Sequence, residues 1–150
     1  MLILILTAFL LIAVTICLHG FGTISWLRYL LAHNTLADGR IRPARILSTL
    51  ISTAIVLISL HIIEIFIWAL AYIVVLPDGE LQSLESAFYF SAVTFTTLGY
   101  GDITLSSDWR MLSGLQAIDG ILLIGWTTAF LFAVLQRAWA YPGDKSKSPK

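Results

Sequence analysis

The chain has 150 residues, of which 58% are hydrophobic and 12% charged, with a mean hydropathy of +0.88. A soluble domain of this size carries about twice that charged fraction, so the composition points to lipid as the solvent. A formal net charge of zero argues against a nucleic-acid-binding face, and a lone cysteine, Cys17, rules out an internal disulfide or a cysteine metal motif.

In chain order, the first apolar run starts at Leu2 and passes Leu18. It lacks a basic flank and a small-residue cleavage site, so it reads as a retained membrane helix over 1–32, with a cleaved signal as the alternative. Gly20 and Gly22 are candidate kink sites, and Trp26 and Tyr29 are candidate interfacial anchors. Residues 33–45 form a basic loop with Arg40, Arg42 and Arg45. The second run, 46–76, is longer than a bilayer requires and ends at Pro77-Asp78-Gly79. The third, 109–138, has Asp108 as its expected N-cap, and a polar tail fills 139–150.

Between the second and third spans lies a shorter apolar segment, 83–96. It is too short to cross a membrane, with Ser83 placed to cap it and Glu85 placed against its helix dipole. Basic residues cluster in the 33–45 loop and after Arg137, which predicts that loop and the C-terminus on the cytoplasmic side and the N-terminus outside. The opposite side carries Asp78, Glu80, Glu85, Asp102 and Asp108, an acidic mouth that concentrates cations.

The segment Thr94-Phe95-Thr96-Thr97-Leu98-Gly99-Tyr100-Gly101-Asp102 follows the short helix. Irregular backbone within a bilayer is tolerated only where protein buries it or water lines it. Gly99 and Gly101 allow left-handed dihedrals, and alternating hands turn successive carbonyls one way. A row of carbonyls replaces the hydration shell of a cation, and the Thr97 hydroxyl adds one more oxygen. One chain makes one wall of such a pore, which predicts a cyclic oligomer.

"TTLGYGD" resembles the selectivity-filter signature of potassium channels, and the likeness runs from about Leu84 to Leu135. The resemblance implies an all-α membrane protein: three transmembrane helices, a re-entrant pore helix and a filter loop at 97–102, assembled as a homotetramer in the plasma membrane. It implies passive potassium flux, with ion sites at Thr97, Leu98, Gly99, Tyr100 and Gly101 and the Tyr100 ring braced on the pore helix. Tyr89 stands where relatives often carry a tryptophan, so its hydroxyl is expected to reach Asp102 of its own or a neighbouring subunit, an interface aromatic being the other reading. Gly120 aligns with the hinge glycine of the inner helix and Gly125 with a second small site, close helix packing being the other reading of both. Thr128 and Phe132 are expected to line the cavity. The sequence shows no repeated-arginine voltage sensor, and potassium is expected as the permeant ion with no cofactor. An unidentified regulatory partner remains open, as do a nonselective pore and a non-conducting partner subunit.

Three ionisable residues interrupt the apolar runs: His61, Glu64 and Asp119. Such groups are costly in lipid and are functional candidates by default. His61 and Glu64 share a helix face, and Glu64 and Asp119 fall at similar depth, roughly 18 Å and roughly 15 Å below their helix ends. They are expected to form one polar cluster, either a proton sensor or a static brace. His61-x-x-Glu64 is one histidine short of the zinc-hydrolase motif, so an enzyme is not expected.

Overall fold

The computed structural model describes residues 2–36, 41–77, 81, 83–106 and 109–139. Helix α1 spans Leu2–His33, and a 3-10 turn at Pro43–Arg45 leads into α2, Ile46–Val75. The short α3 spans Leu84–Phe95, and α4 spans Arg110–Trp139. Among the described residues, three helices (α1, α2 and α4) are long and apolar enough to cross a membrane, with 30, 30 and 28 residues in the qualifying spans. At 1.5 Å per residue each reaches roughly 42–45 Å, more than the ~30 Å hydrocarbon core, so the helices have length to tilt. Arg40, Asp78, Gly79, Glu80, the expected cap Asp108 and the lysine-bearing tail lie outside the described residues.

Helix α1 runs uninterrupted through Gly20 and Gly22. These glycines are packing sites rather than breaks. A Cβ at Gly22 would come within 2.7 Å of Leu60 Cδ2, and one at Gly20 within 3.4 Å of the Trp126 ring. The missing side chains let α1 settle closely against α2 and α4, as small residues do between membrane helices. Trp26 makes a contact between helices as well. Its Nε1 donates to Thr53 Oγ1 at 3.0 Å, tying α1 to α2.

The local signals for α3 act as read. Ser83 is extended, with φ −155°, and its Oγ accepts from Ser86 N at 3.1 Å. Ala87, Phe90, Ser91 and Phe95 are buried at helical spacing, so one face of α3 packs inward while the helix end carries the glycine-rich loop.

Three apolar clusters stack along the bundle. At the end that carries the glycine-rich loop, Leu4, Ala8, Trp68, Tyr72, Phe90 and Leu112 meet; at mid-depth, Ile65, Phe95 and Leu123; at the other end, Leu30, Ile41 and Val134. Between them runs a seam of buried polar side chains. Tyr72 Oη donates to Gln116 Oε1 at 2.7 Å, Gln116 Nε2 donates to Ser91 Oγ at 2.7 Å, and Ser91 Oγ donates to the Ile65 carbonyl at 2.7 Å. This chain of bonds fixes α3 against α2 and α4 where no water is available to satisfy those groups.

Candidate functional site

The loop after α3 has a regular backbone rule. Thr97, Gly99 and Gly101 have positive φ values of 58°, 56° and 78°, while Leu98 and Tyr100 between them do not. Handedness therefore alternates residue by residue from Thr97 to Gly101. The glycines adopt this conformation without a side-chain penalty, whereas Thr97 is β-branched and strained there by about 1–2 kcal/mol. The sequence pointed to the two glycines but not to a left-handed threonine.

The loop is anchored at one end only. Thr97 N donates to the Thr94 carbonyl at 2.9 Å, and Leu98 N and Gly99 N share the Val93 carbonyl at 2.9 and 3.3 Å. Among the described residues, no backbone N–H bonds to the carbonyls of Thr97 to Gly101. All residues from Thr96 to Asp102 are exposed in the single chain. Five successive acceptors, left unpaired and held with alternating hand, suit a desolvated cation better than they suit structure.

At the far end of the loop, Tyr89 Oη donates to Asp102 Oδ2 at 2.7 Å within one chain. That hydrogen bond, helped by the Asp102 and Ile103 backbone N–H groups, holds the Asp102 carboxyl below its ordinary range. The same bond holds the Tyr89 phenol above its ordinary value. The Tyr100 ring is 66% exposed, so the brace expected for it is not completed within one chain. A groove of about 550 Å³ opens beside the loop, lined by Tyr89, Val93, Thr97, Gly99, Asp102 and Ser113.

On α4, Gly120 is buried against the last turn of α3. A Cβ there would overlap the Phe95 carbonyl and sit 3.0 Å from Phe95 Cα. Close packing is therefore what the structure shows at Gly120. At Gly125 a Cβ would meet nothing within 4 Å, and Thr128 and Phe132 lie on the same exposed face. Thr128 Oγ1 turns back to the Ile124 carbonyl at 2.9 Å.

The buried ionisable residues divide differently from the expected single cluster. His61 Nδ1 lies 2.9 Å from Glu64 Oε2, but Asp119 bonds to neither residue. Its Oδ2 instead accepts from Trp68 Nε1 at 2.9 Å and from Thr15 Oγ1 at 2.8 Å. The third ionisable partner is His19 of α1, with Nδ1 2.8 Å from Glu64 Oε1. The sequence reading missed it because an imidazole near the end of an apolar run looks unremarkable. The available signal was its company: Thr15, His19 and Thr23 recur every four residues, a polar stripe on one helix face, and all three are buried.

Comparison with known proteins decides the family. The sequence profile described as "Ion channel" matches residues 58–137, more than half of the chain. The chain belongs to this ion-channel family. The matched region comprises most of α2, all of α3 and the glycine-rich loop after it, and nearly all of α4. A potassium voltage-gated channel protein, shk-1 of Caenorhabditis elegans, is 37% identical over 49 residues, covering 32% of this chain and 9% of that protein. The chain thus spans a small part of the length of that relative. No solved structure matches at the same level of significance.

Proposed function

We propose that this ion channel is a potassium-selective pore, formed by four copies of the chain around an axis lined by the Thr97–Gly101 carbonyls. The observation that carries the reading is the alternating backbone at Thr97, Gly99 and Gly101 within "TTLGYGD". Alternation aims successive carbonyls to one side, and fourfold repetition turns each level into a ring that replaces potassium's water shell. Potassium is the permeant ion, and the pore takes no cofactor.

The rest of the chain serves that geometry in this reading. The exposed Tyr100 ring finds its brace on a neighbouring copy, Tyr89 and Asp102 hold the outer rim, and α3 points its negative dipole end at the centre. The exposed α4 face with Gly125, Thr128 and Phe132 lines the cavity. The basic loop and C-terminus lie on the cytoplasmic side of the plasma membrane and the N-terminus lies outside.

Flux from liposomes containing the purified chain tests this, with potassium and then sodium as the gradient ion. The expected result is potassium flux well above sodium flux, abolished by Gly99→Ala, whose Cβ strains the left-handed backbone. Equal fluxes would mean a nonselective pore. No flux for either ion would point to a subunit that needs a partner.

A further inference from the structure

The pore reading leaves unused the polar junction where α1, α2 and α4 meet. His19 and Glu64 are fully buried there, and the His61 side chain is 15% exposed. Both imidazoles turn Nδ1 to one carboxylate, at 2.8 Å from Glu64 Oε1 for His19 and 2.9 Å from Oε2 for His61. Both turn Nε2 to one hydroxyl, Thr127 Oγ1, at 3.3 and 2.8 Å. One ligand atom from each of His19, His61 and Glu64 falls within 4.8 Å of the others.

Two observations bear on the charge of this junction. The first is a proton count. The closed ring Glu64–His19–Thr127–His61 has four contacts, and each needs a proton. An ionised carboxylate, two neutral imidazoles and a hydroxyl bring three. The second is Asp119, which is fully buried and whose Oδ1 has no hydrogen-bond partner among the described residues. Its partners Thr15 and Trp68 lie one turn from His19 on α1 and from Glu64 on α2, so the orphaned carboxylate sits beside the junction. No arginine or lysine lies between residues 46 and 109 of the sequence or between 111 and 136, and Arg28 of α1 lies more than two turns beyond His19. With neutral imidazoles and both carboxylates ionised the junction carries a charge of −2 in a low-dielectric interior, where an uncompensated charge is strongly disfavoured.

We propose that His19, His61 and Glu64 form a binding site for a divalent transition-metal ion of the zinc class. The ligands are the two Nδ1 atoms and one Glu64 oxygen, and the fourth position is left to water. Thr127 completes the design, because its oxygen can accept Nε2–H from both rings and so free both Nδ1 lone pairs for the metal. Imidazole with carboxylate selects zinc-like ions over potassium or magnesium, which prefer all-oxygen shells. Tetrahedral ligands stand roughly 3.3 Å apart, whereas the two imidazoles meet different oxygens of Glu64 and lie stacked, with centroids 5.3 Å apart and planes 25° apart, so binding turns the rings as well as the carboxylate. A dication together with Glu64 and Asp119 sums to zero charge. It clamps the N-terminal helix to the pore domain at a place apart from the conduction path.

The test uses the full chain, purified and stripped with a chelator, then titrated with zinc chloride alone and measured for bound metal. The expectation is one zinc per chain, with affinity reduced tenfold or more by Glu64→Gln and by His61→Gln. His33→Gln, which removes the remaining histidine outside the junction, should leave binding unchanged. The unmodified chain titrated with cobalt should show the visible bands of four-coordinate Co²⁺, a readout that survives any folding defect in the variants. No retained zinc would overturn the proposal and leave protons as the neutralising charge. Binding that persists in Glu64→Gln and His61→Gln, or is lost in His33→Gln, would also overturn it. None of these readouts depends on conduction, so the site and the pore reading stand or fall separately.

Discussion

Tyr89 and Asp102 illustrate how one contact sets both a geometry and a titration. Donation from Tyr89 favours the ionised carboxylate, so the folded-state pKa of Asp102 lies below its unfolded value. Stabilisation from the contact is therefore complete above the ordinary carboxylate range and is lost as pH falls through the depressed value. Tyr89→Phe should move the acid loss of potassium flux to higher pH and shorten conduction under a sustained gradient. A pH profile that superimposes on wild type would refute the role. The α4 glycines make a second pair of predictions. Gly120→Ala forces a methyl into the Phe95 backbone and should destabilise the fold by about 1–3 kcal/mol. Gly125→Ala meets open space within the chain and should leave unfolding midpoints unchanged or slightly raised. Thermal unfolding of both variants, side by side, checks the contrast.

At the level of elements, the position of α1 is set by polar groups more than by apolar ones. Lipid tails are as apolar as its leucines, so burying them against protein gains little, whereas a hydrogen bond between helices satisfies groups that lipid cannot. Such ties run down the helix or just beyond its end: Thr15 to Asp119 at 2.8 Å, His19 to Glu64 at 2.8 Å and to Thr127 at 3.3 Å, Trp26 to Thr53 at 3.0 Å, and Asn34 to Thr49 at 3.0 Å. A double-mutant cycle of Thr15→Val with Asp119→Asn should give a coupling on the order of 1 kcal/mol in reversible unfolding from mixed micelles. Strict additivity would mean that the bond contributes nothing to docking. The loop end is closed as well, with Arg45 Nη1 donating to the His33 carbonyl at 3.0 Å and to Asn34 Oδ1 at 3.1 Å.

For the whole molecule, the exposed apolar surface divides into two uses. Residues such as Phe21 at 76% and Val74 at 81% exposure suit lipid. The filter loop, with Tyr100 at 66%, exposes hydrogen-bonding backbone together with aromatic surface, which suits neither lipid nor a lone chain in water. The proposed fourfold assembly would resolve that mismatch. The mass of the purified complex in detergent should correspond to four chains. Under the proposed fourfold arrangement, in which bound ions would link the four walls, Gly99→Ala should lower the resistance of that complex to heat as well as its flux. A monomer with full potassium flux would contradict the arrangement.

The sequence by itself determined the three spans, the capped short helix and the left-handed glycines of the loop after it. Each of these depends on local information: hydropathy over some twenty residues, a serine three positions before a helix N–H, and glycines where the backbone must turn left. The tertiary structure alone decided which polar faces meet. His61 and Glu64 were legible as a pair because they share a helix, but His19 is 45 residues from Glu64 in sequence, and only the docking of α1 brings them to 2.8 Å. Asp119 was grouped with His61 and Glu64 yet bonds to Thr15 and Trp68, because axial rise fixes height along a bundle and leaves rotation about each helix to packing. The strained Thr97 and the tight seat of Gly120 follow the same logic: a side chain's local preference yields where the surrounding backbone leaves it one conformation or no room.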